Sequence, residues 1–248
     1  MTRLLRLIFT LYCIVPFALS FLVVIPLYFL IFNLWSKEKA PHAAHRLSRA
    51  WAKFLYITFL IRFKLRNREL IDPNALFIFA GNHRSFLDIP AYALATPHTF
   101  RFLSKAELAK IPLLGYVIKN LYITVNRNDK KDRHRSIEKM MESIRSGIPV
   151  FLAPEGTRNT TDQPLLEFKD GAFRLAIASQ LPLAMLVLHD ADKLLSPKRP
   201  LEMRPGVLHG EWLKPFETKG LKDEDLDAFK QKVRMEMEAV LLRGPIRD

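Results

Sequence analysis

Residues 75–90 read ALFIFAGNHRSFLDIP. Six apolar residues, Ala75 to Ala80, run directly into Gly81-Asn82-His83, and a helix start is written in Ser85-Phe86-Leu87-Asp88. His83 and Asp88 stand five residues apart, an awkward separation for regular structure. An α-helix would set the two side chains roughly 140° apart, and an odd offset in a strand sends them to opposite faces. They can meet only if the chain turns between them. The stretch therefore reads as strand, loop and helix start.

The same texture repeats from about residue 65 onward, with short apolar runs alternating with charged, helix-compatible segments, which argues for βαβ units. Further candidate strands are 121–125, 149–153, 183–188 and 207–209. Between them 132–146 and 168–179 read as helices, with Gly147 well placed as a C-cap. Near the end Leu226, Phe229, Val233, Met237 and Val240 recur at helical spacing, so 222–242 should lay one face on the body. The expected fold is α/β: a mixed, largely parallel sheet flanked by helices, with an N-terminal membrane-embedded helical segment.

That segment is the other strong signal. Between Arg6 and Lys37 lie thirty residues without a charge. As one helix they would extend about 45 Å, against a hydrocarbon thickness of about 30 Å. Pro16 and Pro26 divide the run, and each removes a helical donor. The apolar part is too long for a secretory signal, and after Ala18-Leu19-Ser20 the chain stays apolar. Lys37, Lys39, Arg46, Arg49 and Lys53 outnumber Arg3 and Arg6, which favours a cytoplasmic main domain. Residues 51–63 read as an interfacial helix or as the return arm of a shallow hairpin. The division expected is a membrane-binding part, 1–64, and an α/β domain, 65–248.

Composition narrows the function classes. Hydrophobic residues at 49% and charged ones at 25% argue against disorder. A formal charge of +13 predicts an anionic partner: nucleic acid, an anionic membrane surface or a phosphate-bearing substrate. Cys13, the single cysteine, sits in the apolar run, so no intrachain disulfide or thiolate-rich metal site is available.

Two apolar runs end in polar signatures, Asn82-His83-x4-Asp88 and Pro154-Glu155-Gly156-Thr157-Arg158. Loops at the carboxyl ends of neighbouring strands are where open α/β sheets build sites. Asp88 is either the acid of a capping box opened by Ser85 or itself the N-cap. In both versions an aspartate at a helix start is what a histidine needs as an orienting partner. In the second segment Pro154 and Gly156 are turn punctuation, Gly156 also permits a backbone to approach a ligand, and Arg158 can grip a phosphate.

Together these motifs resemble the glycerolipid acyltransferases, and most closely the 1-acylglycerol-3-phosphate (lysophosphatidic acid) acyltransferases. The resemblance covers most of the chain. It takes in Ser104-Lys105-Ala106-Glu107-Leu108, Gly115 through Asn126-Arg127, Phe168-Lys169-Asp170-Gly171-Ala172 and Leu181-Pro182. It implies that His83, held by Asp88, is the general base on a lysolipid hydroxyl that attacks a fatty acyl thioester, from acyl-CoA or an acyl carrier protein. It implies further that Glu155, Gly156, Thr157 and Arg158, with Lys105 and Arg127, bind the acceptor phosphate. No metal and no cofactor beyond the thioester co-substrate are implied. The departures are Ala153 where many members have Phe, Met185 where a second proline is usual, and Asn126 where an acid is usual. They bear on the acceptor, which among relatives includes other lysophospholipids and amino-acid lipids.

Three rival readings compete. A non-catalytic lipid-binding protein of the same fold would have lost the histidine or the acid, and both are present. A metal phosphoesterase needs further convergent ligands, which His42, His45, His98, His134, His189 and His209 do not supply at any metal spacing. Nucleic-acid binding is poorly served by 127–135, which is basic but has no interleaved aromatics. The expected partners are a lysophospholipid, an acyl thioester and a phospholipid membrane, with no nucleic acid.

Overall fold

A computed structural model describes residues 1–246; the last two residues of the expected 65–248 domain lie outside it. The elements in chain order are α1 (Arg3–Leu34), α2 (Lys39–Thr58), β1 (Ile61–Arg66), β2 (Ile78–Gly81), α3 (Asp88–Ala95), β3 (Arg101–Lys105), α4 (Leu114–Leu121), β4 (Ile123–Val125), α5 (Lys130–Arg145), β5 (Val150–Leu152), α6 (Gly171–Ser179), β6 (Leu183–His189), α7 (Ala191–Leu194), β7 (Gly206–Trp212) and α8 (Leu226–Arg243).

The strands form one seven-stranded sheet in the order β1-β7-β6-β2-β5-β3-β4. Five neighbours, β6-β2-β5-β3-β4, run parallel. β7 is antiparallel to β6, and β1 runs parallel to β7. The sheet is thus mixed and largely parallel, as expected. Central strands of such a sheet are covered on both faces, so they lose the alternating pattern and read as continuous apolar runs. β6 shows this at every position, with Leu183 to His189 all buried.

Alternation sorts β6 between two cores. Leu183, Met185 and Val187 pack with α6 and α8 through Phe173, Ile177, Phe229 and Val233. Ala184, Leu186 and Leu188 face the other way, with Phe79, Phe151, Tyr92, Trp212 and Tyr56 of α2. Phe151 stacks on Tyr92 at 4.3 Å between ring centroids, a contact that binds β5 to α3. A third cluster joins Val24, Ile25 and Tyr28 of α1 to Ala44 of α2 and to Val117 and Leu121 of α4.

Several elements differ from the sequence expectation. β1 and β3 were not anticipated, nor was α4, and β1 begins at Ile61, before the expected start of the α/β part. The run containing Pro16 and Pro26 is one continuous helix. Each proline deletes a single donor, and the rest of the i→i−4 ladder closes around it. α1 is long and apolar enough to cross a membrane, and little of it is buried within the protein. Leu11, Val15, Leu19, Leu22 and Leu34 stand exposed along its outer side. α2 packs back against α1 and starts at Lys39, so several of the basic residues read as a flank after the apolar run are helical. Arg49 turns inward, where its guanidinium donates to the carbonyls of Ala93 at 3.1 Å and Thr96 at 2.6 Å.

Candidate active site

β2 and β5 are parallel neighbours, so the loops that follow Gly81 and Leu152 leave the same edge of the sheet side by side. β3 and β4, next in order, deliver Lys105 and the Arg127 loop to that edge as well. The topology alone gathers all eight expected site residues at the carboxyl ends of four parallel strands.

The loop after β2 is fixed at both ends. Asn82, buried, extends the β2–β6 ladder with its side chain: its Oδ1 accepts from Leu188 N at 2.8 Å and its Nδ2 donates to Leu188 O at 2.9 Å. The Tyr92 hydroxyl donates to Asn82 O at 2.5 Å, and the Tyr56 hydroxyl of α2 donates to Leu87 O at 2.6 Å. Between these points the chain turns, and His83 Nδ1 comes to 2.8 Å from Asp88 Oδ2.

Asp88 is 1% exposed. Its Oδ2 also accepts from the backbone amides of Arg84 at 2.6 Å and Ser85 at 2.7 Å. The bond from Ser85 N is the acid half of a capping box. The serine half departs from it, since Ser85 Oγ accepts from Leu87 N at 3.2 Å rather than from Asp88. Two backbone amides already donate to this oxygen, so it meets the ring nitrogen as an acceptor and Nδ1 of His83 carries the proton. The histidine's other nitrogen, Nε2, then bears the lone pair. Among the described residues no group bonds it, and the side chain is 17% exposed.

The 154–158 loop is divided between three tasks. Glu155 points inward, 2% exposed; its Oε1 accepts from His83 N at 3.0 Å and its Oε2 from Leu166 N at 2.8 Å. Burial raises the Glu155 pKa, opposed by those two hydrogen bonds and by the charges of His83 and Arg84. Gly156, at φ 72°, and Thr157 line a cavity of about 170 Å³ together with Lys105, Glu107, Arg127 and Asn128. The Arg127 guanidinium donates to Gly156 O, which joins the β4 and β5 loops across that cavity. Arg158 turns the other way. Its guanidinium carbon lies 3.6 Å from the centroid of the Phe86 ring, and its Nε is buried with no partner among the described residues. Burial lowers the pKa of both arginines, against the pull of Glu107 on Arg127 and of Asp88 on Arg158.

The eight residues named from sequence thus fall into a dyad (His83, Asp88), a cationic cavity (Lys105, Arg127, Gly156, Thr157), a stacked arginine beside the dyad (Arg158) and a buried strut (Glu155). Sequence reasoning missed the supports: Tyr56, Tyr92 and the side chain of Asn82. Nothing local marks a tyrosine whose hydroxyl will meet a carbonyl on another element. A larger recess, about 220 Å³, lies between β1, β7 and Pro245-Ile246 and contains none of these residues.

The acyltransferase family model matches residues 62–188, about half of the chain and all eight of the site residues named from sequence. The sequence is 30% identical over 165 residues to a 1-acyl-sn-glycerol-3-phosphate acyltransferase of Saccharomyces cerevisiae, covering 65% of this chain and 54% of that one. It is 29% identical over 199 residues to 1-acyl-sn-glycerol-3-phosphate acyltransferase alpha of Mus musculus, covering 77% and 67%. The chain spans about half the length of several curated relatives it matches, 49% and 54% in two cases. Among solved structures, the 1-acyl-sn-glycerophosphate (LPA) acyltransferase PlsC of Thermotoga maritima superimposes with a TM-score of 0.81 over 100% of both chains, at 22% identity. That likeness is one of fold.

Proposed function

The chain belongs to the acyltransferase family, and we propose that it moves a fatty acyl group from an acyl thioester to the free hydroxyl of 1-acyl-sn-glycerol-3-phosphate, giving phosphatidic acid. The observation that carries this reading is the His83–Asp88 pair, with its second nitrogen open, set beside a cationic cavity. The activity of the related 1-acyl-sn-glycerol-3-phosphate acyltransferases supplies the substrate class.

The residues suit the chemistry step by step. His83 Nε2 takes the proton of the lysolipid hydroxyl as its oxygen attacks the thioester carbonyl carbon. The new imidazolium keeps its Nδ1–H on Asp88, whose negative charge stabilises it. When the tetrahedral intermediate collapses, the C–S bond breaks and the leaving sulfur receives the proton from Nε2. Ester and free thiol are produced, and the histidine returns to its starting form. No covalent acyl-enzyme is needed. Lys105 and Arg127 offer positive charge to the acceptor phosphate within the cavity, and Arg158 offers a planar donor set next to the dyad. Glu155 contributes by position, tying the 154–158 loop to the backbone of His83.

For the membrane, α1 favours an interfacial placement over a span standing clear of the body. Thr10 Oγ1 accepts from Met203 N at 2.9 Å, while Asn33 Nδ2 donates to the Tyr116 hydroxyl at 2.8 Å. Those two points are about 35 Å apart along the helix, so both ends of α1 rest on the protein. Its outward leucines would lie in the bilayer surface, with α2 beside it. The body then sits on the cytoplasmic side if the basic residues following α1 set the orientation.

The test is transfer from a labelled acyl-CoA by purified protein in detergent, with 1-acylglycerol-3-phosphate offered beside other lysolipids and His83→Ala as control. Turnover of the lysophosphatidate that is lost in the variant supports reaction and acceptor together. Turnover of another lysolipid moves the acceptor and keeps the mechanism. No turnover from either acyl-CoA or an acyl carrier protein overturns the proposal.

A further inference from the structure

α1 is almost wholly apolar, yet Arg3, Arg6 and Thr10 near its start all grip one short segment of the body. Arg3 Nε lies 3.0 Å from Glu202 Oε1 and Arg6 Nη1 lies 3.5 Å from Glu202 Oε2. The Glu202 side chain is only 9% exposed, and Arg199 approaches it from its own segment at 3.7 Å. Thr10 Oγ1 accepts from Met203 N at 2.9 Å and stands 2.8 Å from both Leu201 O and Arg6 O of its own helix. A hydroxyl paired in this way with a distant backbone is a specific dock in an otherwise apolar helix.

The other end of the segment reaches the dyad. Leu195 O accepts from Ser85 Oγ at 2.7 Å, and Asp192 Oδ2 accepts from Arg84 Nε and Nη2 at 3.1 and 3.0 Å. Arg84 and Ser85 are the residues whose amides hold Asp88 in place. Arg204 N donates to Leu194 O at 2.8 Å, which closes the segment into one compact unit.

We propose that residues 190–204 are a strap that makes the alignment of the His83–Asp88 pair depend on α1 being seated, with Glu202 as the positioning residue. The site is then competent when α1 is pressed between the lipid surface and the body, and it slackens when α1 lifts. This rests on the acyl-transfer reading for its catalytic consequence, and on the hydrogen bonds alone for its mechanical one. Small displacements of a catalytic pair weigh heavily on rate, because reacting atoms must be held within a fraction of an ångström.

The experiment uses the full chain in mixed micelles and reads amide hydrogen exchange at Arg84 and Ser85 beside steady-state kinetics with acyl-CoA and 1-acylglycerol-3-phosphate. Glu202→Gln removes the charge that holds Arg3 and Arg6, and Thr10→Val removes the hydroxyl at nearly constant volume. Each is expected to speed exchange at Arg84 and Ser85 about tenfold and to lower kcat about tenfold with KM within twofold. Asn33→Ala, which frees the far end of α1, should leave exchange at those two amides unchanged. If Glu202→Gln fails to fold, Thr10→Val decides alone. The strap is overturned if these variants loosen only α1 and residues 196–204 while Arg84 and Ser85 exchange at the wild-type rate. It is also overturned if KM rises with kcat unchanged, which is the signature of a simple membrane tie. Should the wild-type protein turn over no lysolipid, the functional reading fails while the exchange arm still judges the strap.

Discussion

Asp88→Asn removes one negative charge from beneath His83 and nearly preserves its shape. In the proposed reaction the imidazolium forms 2.8 Å from Asp88 Oδ2, nitrogen to oxygen, with charge centres roughly 4 Å apart. At an effective dielectric constant of 20, that pairing is worth about 4 kcal/mol. Asparagine retains a carbonyl dipole at the same point, so most of this stabilisation is lost and some remains. With about 3 kcal/mol lost, at 1.36 kcal/mol per decade, kcat should fall roughly two hundredfold. The stability effect is separable. The asparagine oxygen must take the Oδ2 position, because its NH2 cannot face the donors at Arg84 N, Ser85 N and His83 Nδ1. The NH2 is then buried where Oδ1 now lies with no partner among the described residues, at a cost of about 1–3 kcal/mol. Continuous detection of the thiol released from acyl-CoA gives kcat at saturating lysophosphatidate, and circular dichroism in the same detergent gives the melting temperature. A variant that keeps kcat within threefold of wild type, at unchanged KM, would refute the role assigned to the carboxylate.

Arg158→Lys gives up the planar guanidinium that lies on Phe86; KM for the lysophosphatidate should rise about tenfold with kcat within threefold, whereas a fall in kcat alone would remove Arg158 from phosphate binding. Glu155 has a folded-state pKa raised above its usual 4.5, so its contribution to stability is present below that value and is lost as pH rises through the raised one. Glu155→Gln does not titrate, so melting curves across this range should move in favour of the variant as pH increases; parallel curves would contradict the burial argument. His45 behaves oppositely, since burial first, then Arg49 and His42, push it from 6.5 down to about 3. Its stabilisation is complete above 6.5 and is lost as pH falls through that window, by about 1.4 kcal/mol per pH unit. His45→Phe keeps a ring against Phe100, now 4.6 Å away, and should flatten that acid limb in a pH series of melting temperatures.

Much of the fold was legible because its central strands are short continuous apolar runs. Ile78–Gly81, Val150–Leu152 and Leu183–His189 all lie inside or within one residue of the runs read from sequence. β1 and β3 escaped because IRFKLR carries a cation at every second residue and RFLSK one at each end. Such segments become strands only when a neighbour offers a ladder, and β1 has β7 along its whole register. Pro16 and Pro26 suggested a divided helix, but each removes a single donor and the hydrogen-bond ladder on either side carries α1 through.

The candidate site divides along the same line. His83 and Asp88 announced themselves by a spacing that no helix or single strand face can use, a constraint of covalent geometry that needs no neighbours. The apolar stretch of α1 likewise follows from composition alone. The direction of each side chain of the 154–158 loop does not: Glu155 under the His83 backbone and Arg158 over Phe86 are separated by two residues and serve opposite sides of the loop. The grip of Glu202 on Arg3 and Arg6, some 200 residues away in sequence, is further still from any local signal. Periodicity and spacing are set by bonds between adjacent residues and can be read along the chain. Which polar groups meet across the fold is set by the order in which strands pair, and only the packed structure decides that.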